Sequence, residues 1–151
     1  MNNEEINKLL IEIWRDFYRY RNGVIAESLK KMNQSFPMVF GLLINQITEI
    51  SKKYPKNITL STILWKGKKS RESRLLSLYL LPTNEIDKET IKDFIKDIQT
   101  TEEADIISFR VLRYIPYAYD LYLELASKME EDISDLQKYL ILMFKKNLNL
   151  N

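Results

Sequence analysis

Five cations fall within the stretch Lys66-Gly67-Lys68-Lys69-Ser70-Arg71-Glu72-Ser73-Arg74, namely Lys66, Lys68, Lys69, Arg71 and Arg74. Side chains of this type at this density suit one chemistry, the neutralisation of phosphates. Each contact releases condensed counterions and makes binding fall with salt. Such contacts hold a backbone in place without reading its sequence. Arg15 and Arg19, spaced i, i+4, add two cations opposite the apolar stripe of the first predicted helix. They either extend the same surface or are ordinary solvated residues of an amphipathic helix. The lysine turn has a plain alternative too, a solvated loop between helices.

Among the carboxylates, Asp105 is the candidate for chemistry. A lone Asp can stabilise positive charge that develops as a leaving group departs. It also lies with Glu102 and Glu103 in the first turn of a predicted helix, where the helix dipole alone favours acids. Phe109, Tyr114, Tyr117, Tyr119 and Tyr122 form an aromatic stretch beside Arg110 and Arg113. Rings at this spacing either stack on unpaired bases or seal a joint between helices. The chain contains no histidine and no cysteine. Ser-His-Asp and Cys-His nucleophiles and the His- or Cys-based zinc sites are thereby excluded. Gly23, Gly41 and Gly67 are too scattered for a phosphate loop or a dinucleotide fingerprint. No metal and no cofactor is expected.

The net charge of +2 conceals a gradient. Residues 1–80 carry 14 Lys+Arg against 7 Asp+Glu, a balance of +7, and residues 81–151 carry 9 against 14, a balance of −5. A field of one sign over one part of a chain steers ligands of the other. The first ten residues, MNNEEINKLL, are acidic where a signal peptide is basic, and no apolar run approaches membrane-spanning length. Neither export nor membrane insertion is predicted, which fits a cytoplasmic protein.

Helices must position these groups. Ile6, Leu9, Leu10, Ile13, Trp14, Phe17 and Tyr18 trace one apolar stripe at helical spacing, with Asn3 as a candidate N-cap. A second helix is predicted from Gly23 through Met32. A longer one follows Pro37 and runs to about Lys53, carrying Phe40, Leu43, Ile44, Ile47 and Ile50. Helices over Ile58–Trp65 and Arg71–Leu81 then form a hairpin with the lysine turn at its tip. Asp87 caps the next helix, whose outer rows Lys88, Lys92, Lys96 and Glu89, Asp93, Asp97 predict a salt-laced surface. Thr100-Thr101-Glu102-Glu103 opens a helix through Arg113 by a capping box. Two more are predicted from Tyr117 to about Glu130 and over Ser134–Asn147. No segment alternates with period two, so no sheet is expected. At 151 residues the chain reads as one all-α domain, an α-α superhelix of HEAT-like antiparallel helical pairs, or else an irregular bundle.

Arg21-Asn22-Gly23-Val24-Ile25-Ala26-Glu27, Val39-Phe40-Gly41 and Ile47-Thr48-Glu49-Ile50-Ser51-Lys52-Lys53-Tyr54 occur in that order. Leu64-Trp65, Arg71-Glu72-Ser73-Arg74 and Leu75-Leu76 follow. Together they resemble the DNA alkylation repair family, the AlkD-like HEAT-repeat proteins, most clearly from Arg21 to Pro82. The resemblance implies a superhelix whose concave face holds duplex DNA by its backbone. In active members it also implies excision of alkylated purines, using an aromatic, a carboxylate and an arginine. The comparable stretch here, Thr101–Arg113, contains Asp105 but no tryptophan. The expectation is therefore a DNA-backbone-binding protein with weak or no glycosylase activity. The alternatives are a protein-interaction scaffold of the same fold, with a protein partner, and a glycosylase that uses Asp105.

Overall fold

The helix Arg71–Tyr79 is buried along its whole length, charged residues included, and the first half of the chain is arranged around it. The computed structural model describes residues 1–149, and its backbone contacts cluster into two compact units, Met1–Leu81 and Pro82–Asn151. The protein is all-α. Among the described residues there is no strand, and the one isolated bridge joins Met38 to Ser70. No described helix is long and apolar enough to cross a membrane.

In the N-terminal unit α1 spans Asn3–Tyr20, α2 Gly23–Leu29, α3 Ile44–Ser51, α4 Ile58–Gly67 and α5 Arg71–Tyr79. α1 buries Ile6, Ile13 and Phe17 from the predicted stripe. Its N-cap is Asn2 rather than Asn3, the Asn2 side chain accepting the Glu5 amide at 2.9 Å. α2 is shorter than predicted, its last turn tightening into a 3-10 helix over Lys30–Asn33. The Asn33 side-chain amide donates to the Leu29 carbonyl there and consumes an acceptor of the helix end.

The larger departure concerns the segment after Pro37. The predicted helix carrying Phe40 and Leu43 starts only at Ile44. Residues 38–43 instead lie across the start of α5, because the Glu72 carboxylate accepts the amides of Phe40 at 2.9 Å, Gly41 at 3.1 Å and Leu42 at 3.4 Å. Gly41 has φ of +87°, a left-handed conformation incompatible with a continuing helix. A Cβ on Gly41 would lie 2.2 Å from the Asn22 carbonyl oxygen, so the loop presses directly on the first turn of α2. Asn22 in turn donates its amide to the Phe40 carbonyl at 2.8 Å.

α4 and α5 pack as the predicted antiparallel hairpin. Asn57 caps α4 by accepting the Leu60 amide, and Ser70 caps α5 by accepting the Ser73 amide at 2.9 Å. Small side chains let the two backbones approach: the Ser61 hydroxyl donates to the Ser77 carbonyl at 2.6 Å. Arg71 Nη1 donates to Glu72 Oε2 and to the Leu42 carbonyl, each at 2.8 Å. The Arg74 guanidinium stacks on the Trp65 ring, 3.3 Å from its centroid.

The C-terminal unit holds α6 (Lys88–Lys96), α7 (Thr101–Arg110), α8 (Ala118–Ala126) and α9 (Asp135–Asn147), with a 3-10 turn over Leu112–Tyr114. The predicted caps Asp87 and Thr100 each accept an amide three residues on, and Ser134, predicted as the first residue of the last helix, is its cap and accepts the Gln137 amide. α7 stops at Arg110 rather than Arg113, and α8 ends at Ala126 rather than near Glu130. The salt-laced surface of α6 has a definite partner in Glu124 of α8, 2.7 Å from Lys92 Nζ and 3.0 Å from Lys88 Nζ. Ile91, Phe94, Leu121, Leu140 and Phe144 form the core beneath it.

Two outcomes follow for stability. Glu72→Gln removes the charge that Arg71 and three loop amides bond, and should cost about 3–5 kcal/mol, the range for one broken half of a buried pair. Urea denaturation followed by tryptophan fluorescence measures it, since Trp14 and Trp65 both lie in the N-terminal unit. In the C-terminal unit, hydrogen bonds from Lys92 and Lys88 hold the Glu124 carboxyl below its ordinary range, and the Thr90 amide does the same for Asp87. A carboxyl depressed in the folded state contributes stability above its unfolded pKa and loses it as pH falls through the folded value. Amide protection factors in α6 and α8, corrected for the intrinsic pH dependence of exchange, should therefore fall on acidification through and below the carboxylate range, less so in Glu124→Gln.

Candidate functional site

The tip of the α4–α5 hairpin is a tight connection. Lys66 lies in the last turn of α4, and Lys68, with φ of +49°, turns the chain in the left-handed region that ends many helices. Ser70 then caps α5 within two residues. Lys66 and Lys69 are exposed and Lys68 is half-buried. Among the described residues no carboxylate pairs with Lys66 or Lys69.

Arg71 and Arg74 do not belong to this surface. Arg71 is 2% exposed and Arg74 fully buried, one held by Glu72 and the Leu42 carbonyl, the other by the Trp65 ring and its carbonyl. Neither guanidinium reaches solvent, so neither can meet a phosphate in this structure. The reason lies in the register of α5, which turns every side to protein and leaves the charges no exposed face. The predicted cation cluster therefore splits into a lysine surface and an arginine interior.

Arg15 and Arg19 are exposed on α1 and carry no carboxylate partner among the described residues. The link between α1 and the lysine turn is Trp14, whose ring centroid lies 5.9 Å from Lys69 Nζ. That ring also packs on Phe17 and Phe40, at 5.8 and 5.5 Å between centroids. An open groove of about 380 Å³ runs beside it between α1 and α4, lined by Asn7, Leu10, Ile11, Trp14, Ile63 and Lys69 among others. Arg15 follows Trp14 directly, a quarter turn further around α1, and Arg19 comes one turn later.

A polar cluster that the sequence did not reveal lies at the other side of α1. Asp16 is 3% exposed, and it accepts Lys53 Nζ through both oxygens at 2.8 Å and also the Tyr54 hydroxyl. Burial and the carboxylate together push the Tyr54 phenol well above its ordinary value. The available signal was position: Asp16 falls three residues after Ile13 and one before Phe17, inside the apolar arc of α1. A carboxylate there demands a buried cation or hydroxyl. The cluster ties α1 to the segment that follows α3.

Asp105 is exposed on α7 and accepts the Tyr139 hydroxyl of α9 at 2.6 Å. The arginines nearest in sequence point into aromatic contacts, Arg113 lying 4.1 Å from the Phe109 centroid and 4.6 Å from that of Tyr114. Tyr117 donates to the Ile86 carbonyl at 2.6 Å, and Tyr122 meets Phe144 edge to face. These two tyrosines seal joints within the unit, while Tyr114 and Tyr119 remain largely exposed. No group of three or more acidic side chains that could hold a metal ion occurs among the described residues.

Comparisons with family models, curated proteins and solved structures found no match to this chain.

The Asp105–Tyr139 bond carries a testable pH signature. The carboxylate raises the Tyr139 phenol, chiefly through the hydrogen bond. A phenol raised in the folded state contributes stability below its unfolded pKa and loses it as pH rises through the folded value. Asp105→Asn should let Tyr139 ionise at lower pH, and phenolate absorbance against Tyr139→Phe as a blank identifies that proton.

Proposed function

We propose that the N-terminal unit binds duplex DNA by its sugar-phosphate backbone, with Lys66, Lys68 and Lys69 as the principal contacts and Arg15 and Arg19 extending them. One observation carries the reading: an exposed lysine turn sits at the tip of a buried, doubly capped helical hairpin, in a unit whose charge balance is +7 over residues 1–80. A turn fixed in this way presents its cations with little ordering cost on binding. Arg71 and Arg74 act through the turn's shape and touch no phosphate. HEAT-like stacking of the helical pairs belongs to the same reading, as does the resemblance to alkylation repair proteins. Base excision does not, since Asp105 belongs to the more acidic unit and is engaged by Tyr139.

A second reading, a protein-interaction scaffold, draws on the groove between α1 and α4, where Ile11 and Ile63 are 54% and 43% exposed. Salt separates the two. Backbone contact by three lysines predicts a log-log slope of about −3 for duplex binding, steepening to about −5 if both arginines take part. Reversal of Lys66, Lys68 and Lys69 to Glu should weaken binding at least tenfold and flatten that slope, as measured by anisotropy with a labelled duplex. A slope near zero for the unaltered protein removes the DNA reading and leaves the scaffold.

A further inference from the structure

The groove beside Trp14 is too apolar to be explained by phosphate contact and too close to the lysine turn to be independent of it. Its walls are Leu10 and Ile11 from α1 and Ile63 from α4, with the Trp14 ring on one side. Single exposed apolar residues are unremarkable. Here two of them, Ile11 and Ile63, line one opening with an aromatic wall and three polar residues, Asn7, Lys69 and Ser73. Lys69 belongs to both features, since it lines the groove and forms part of the basic turn, with its Nζ 5.9 Å from the Trp14 ring centroid.

We infer that this groove receives a nucleobase from an unpaired stretch of strand whose phosphates lie on Lys66 and Lys69. The inference rests on the backbone-binding reading and specifies its ligand. A phosphate on Lys69 places the attached nucleoside at the groove mouth. In an intact duplex the base is held in the stack and cannot enter, whereas an unpaired base can turn outward. Proteins that hold single strands combine a cationic track with aromatic platforms, and Trp14 with Lys69 is that combination on a small scale. The Asn7 side-chain amide offers one donor group and one acceptor, matching the mixed edge of a base. The groove, about 380 Å³ and open to solvent, has room for a single base to enter from its mouth. The cationic rim at Lys69 favours an anionic strand over an apolar peptide.

The test compares three labelled ligands by anisotropy: a single-stranded oligothymidylate, an abasic strand of equal length, and a duplex. The base-bearing strand should bind at least about fivefold more tightly than the abasic strand, the lower end of what one stacked base contributes, and should change tryptophan fluorescence. Trp14→Ala should abolish that advantage, but Trp14 packs on Phe17 and Phe40, and its removal risks unfolding. Ile63→Trp is the companion variant, filling the groove from an exposed position. It should abolish the advantage while leaving duplex and abasic-strand binding intact. Equal affinity for base-bearing and abasic strands, with the salt slope retained, overturns the inference and spares the backbone reading. No binding to any of the three overturns both. Binding of an acidic apolar peptide that Ile63→Trp blocks, alongside base-bearing and abasic strands that bind equally, overturns the inference and gives the groove to a protein partner.

Discussion

Three backbone amides and one guanidinium converge on the buried carboxylate of Glu72, and the N-terminal unit is organised by that convergence. A carboxylate removed from water is costly unless its lone pairs are filled. Here the amides of Phe40, Gly41 and Leu42 fill them, and so the loop between α2 and α3 cannot continue as helix. Arg71 closes the arrangement by bonding both Glu72 and the carbonyl of Leu42. Bonds to an ionised acceptor are stronger than neutral ones. Their strength explains how an apolar segment such as Val39–Leu43 is held in an irregular path across a helix. Gly41 makes the path possible, because its left-handed backbone and missing Cβ allow close approach to Asn22 and Ala26.

The same arrangement divides the basic segment by depth. A helix buried on every side can carry arginine only where the guanidinium is matched, and the two available matches are an acid and an aromatic face. Arg71 meets the acid of Glu72, and Arg74 meets the ring of Trp65, a contact worth about 2 kcal/mol or more when desolvated. Lysine, a compact and strongly hydrated charge, is poorly suited to either place. Lys66 and Lys69 therefore remain in water at the turn, where the left-handed Lys68 and the Ser70 cap hold them together. What looks in the sequence like one run of cations is an interior that builds the hairpin and a surface that the hairpin presents.

Carboxylates of the C-terminal unit are employed in a comparable way. Asp87 and Glu103 accept backbone amides at helix starts, Glu124 receives two lysines across α6 and α8, and Asp105 receives Tyr139. The sign of the charge balance changes close to Leu81–Pro82, where the backbone contacts also divide. A positive and an acidic compact unit thus follow one another along the chain, and the expected phosphate chemistry concerns the first alone.

Much of the helical content was legible because it depends on neighbours in the chain. The apolar stripe of α1, the hairpin limits near Ile58 and Arg71, and the caps Asp87 and Thr100 are local patterns with local causes, and each appears in the structure. Helix ends were less legible, by one residue at Asn2 and by three or four at Leu29 and Ala126, since terminal turns fray and tighten at little cost. The path of residues 38–43, the burial of Arg71 and Arg74, and the Asp16–Lys53–Tyr54 cluster were not legible at all. Each depends on partners roughly 10 to 40 residues distant, and periodicity carries no information about such pairs. Sequence alone determined most of where the chain is helical and that its first half is rich in cations, because propensity, spacing and charge are properties of the residues themselves. Only the tertiary structure decided which cations face water, because burial follows from the sides a helix turns to its neighbours, and α5 turns all of them inward.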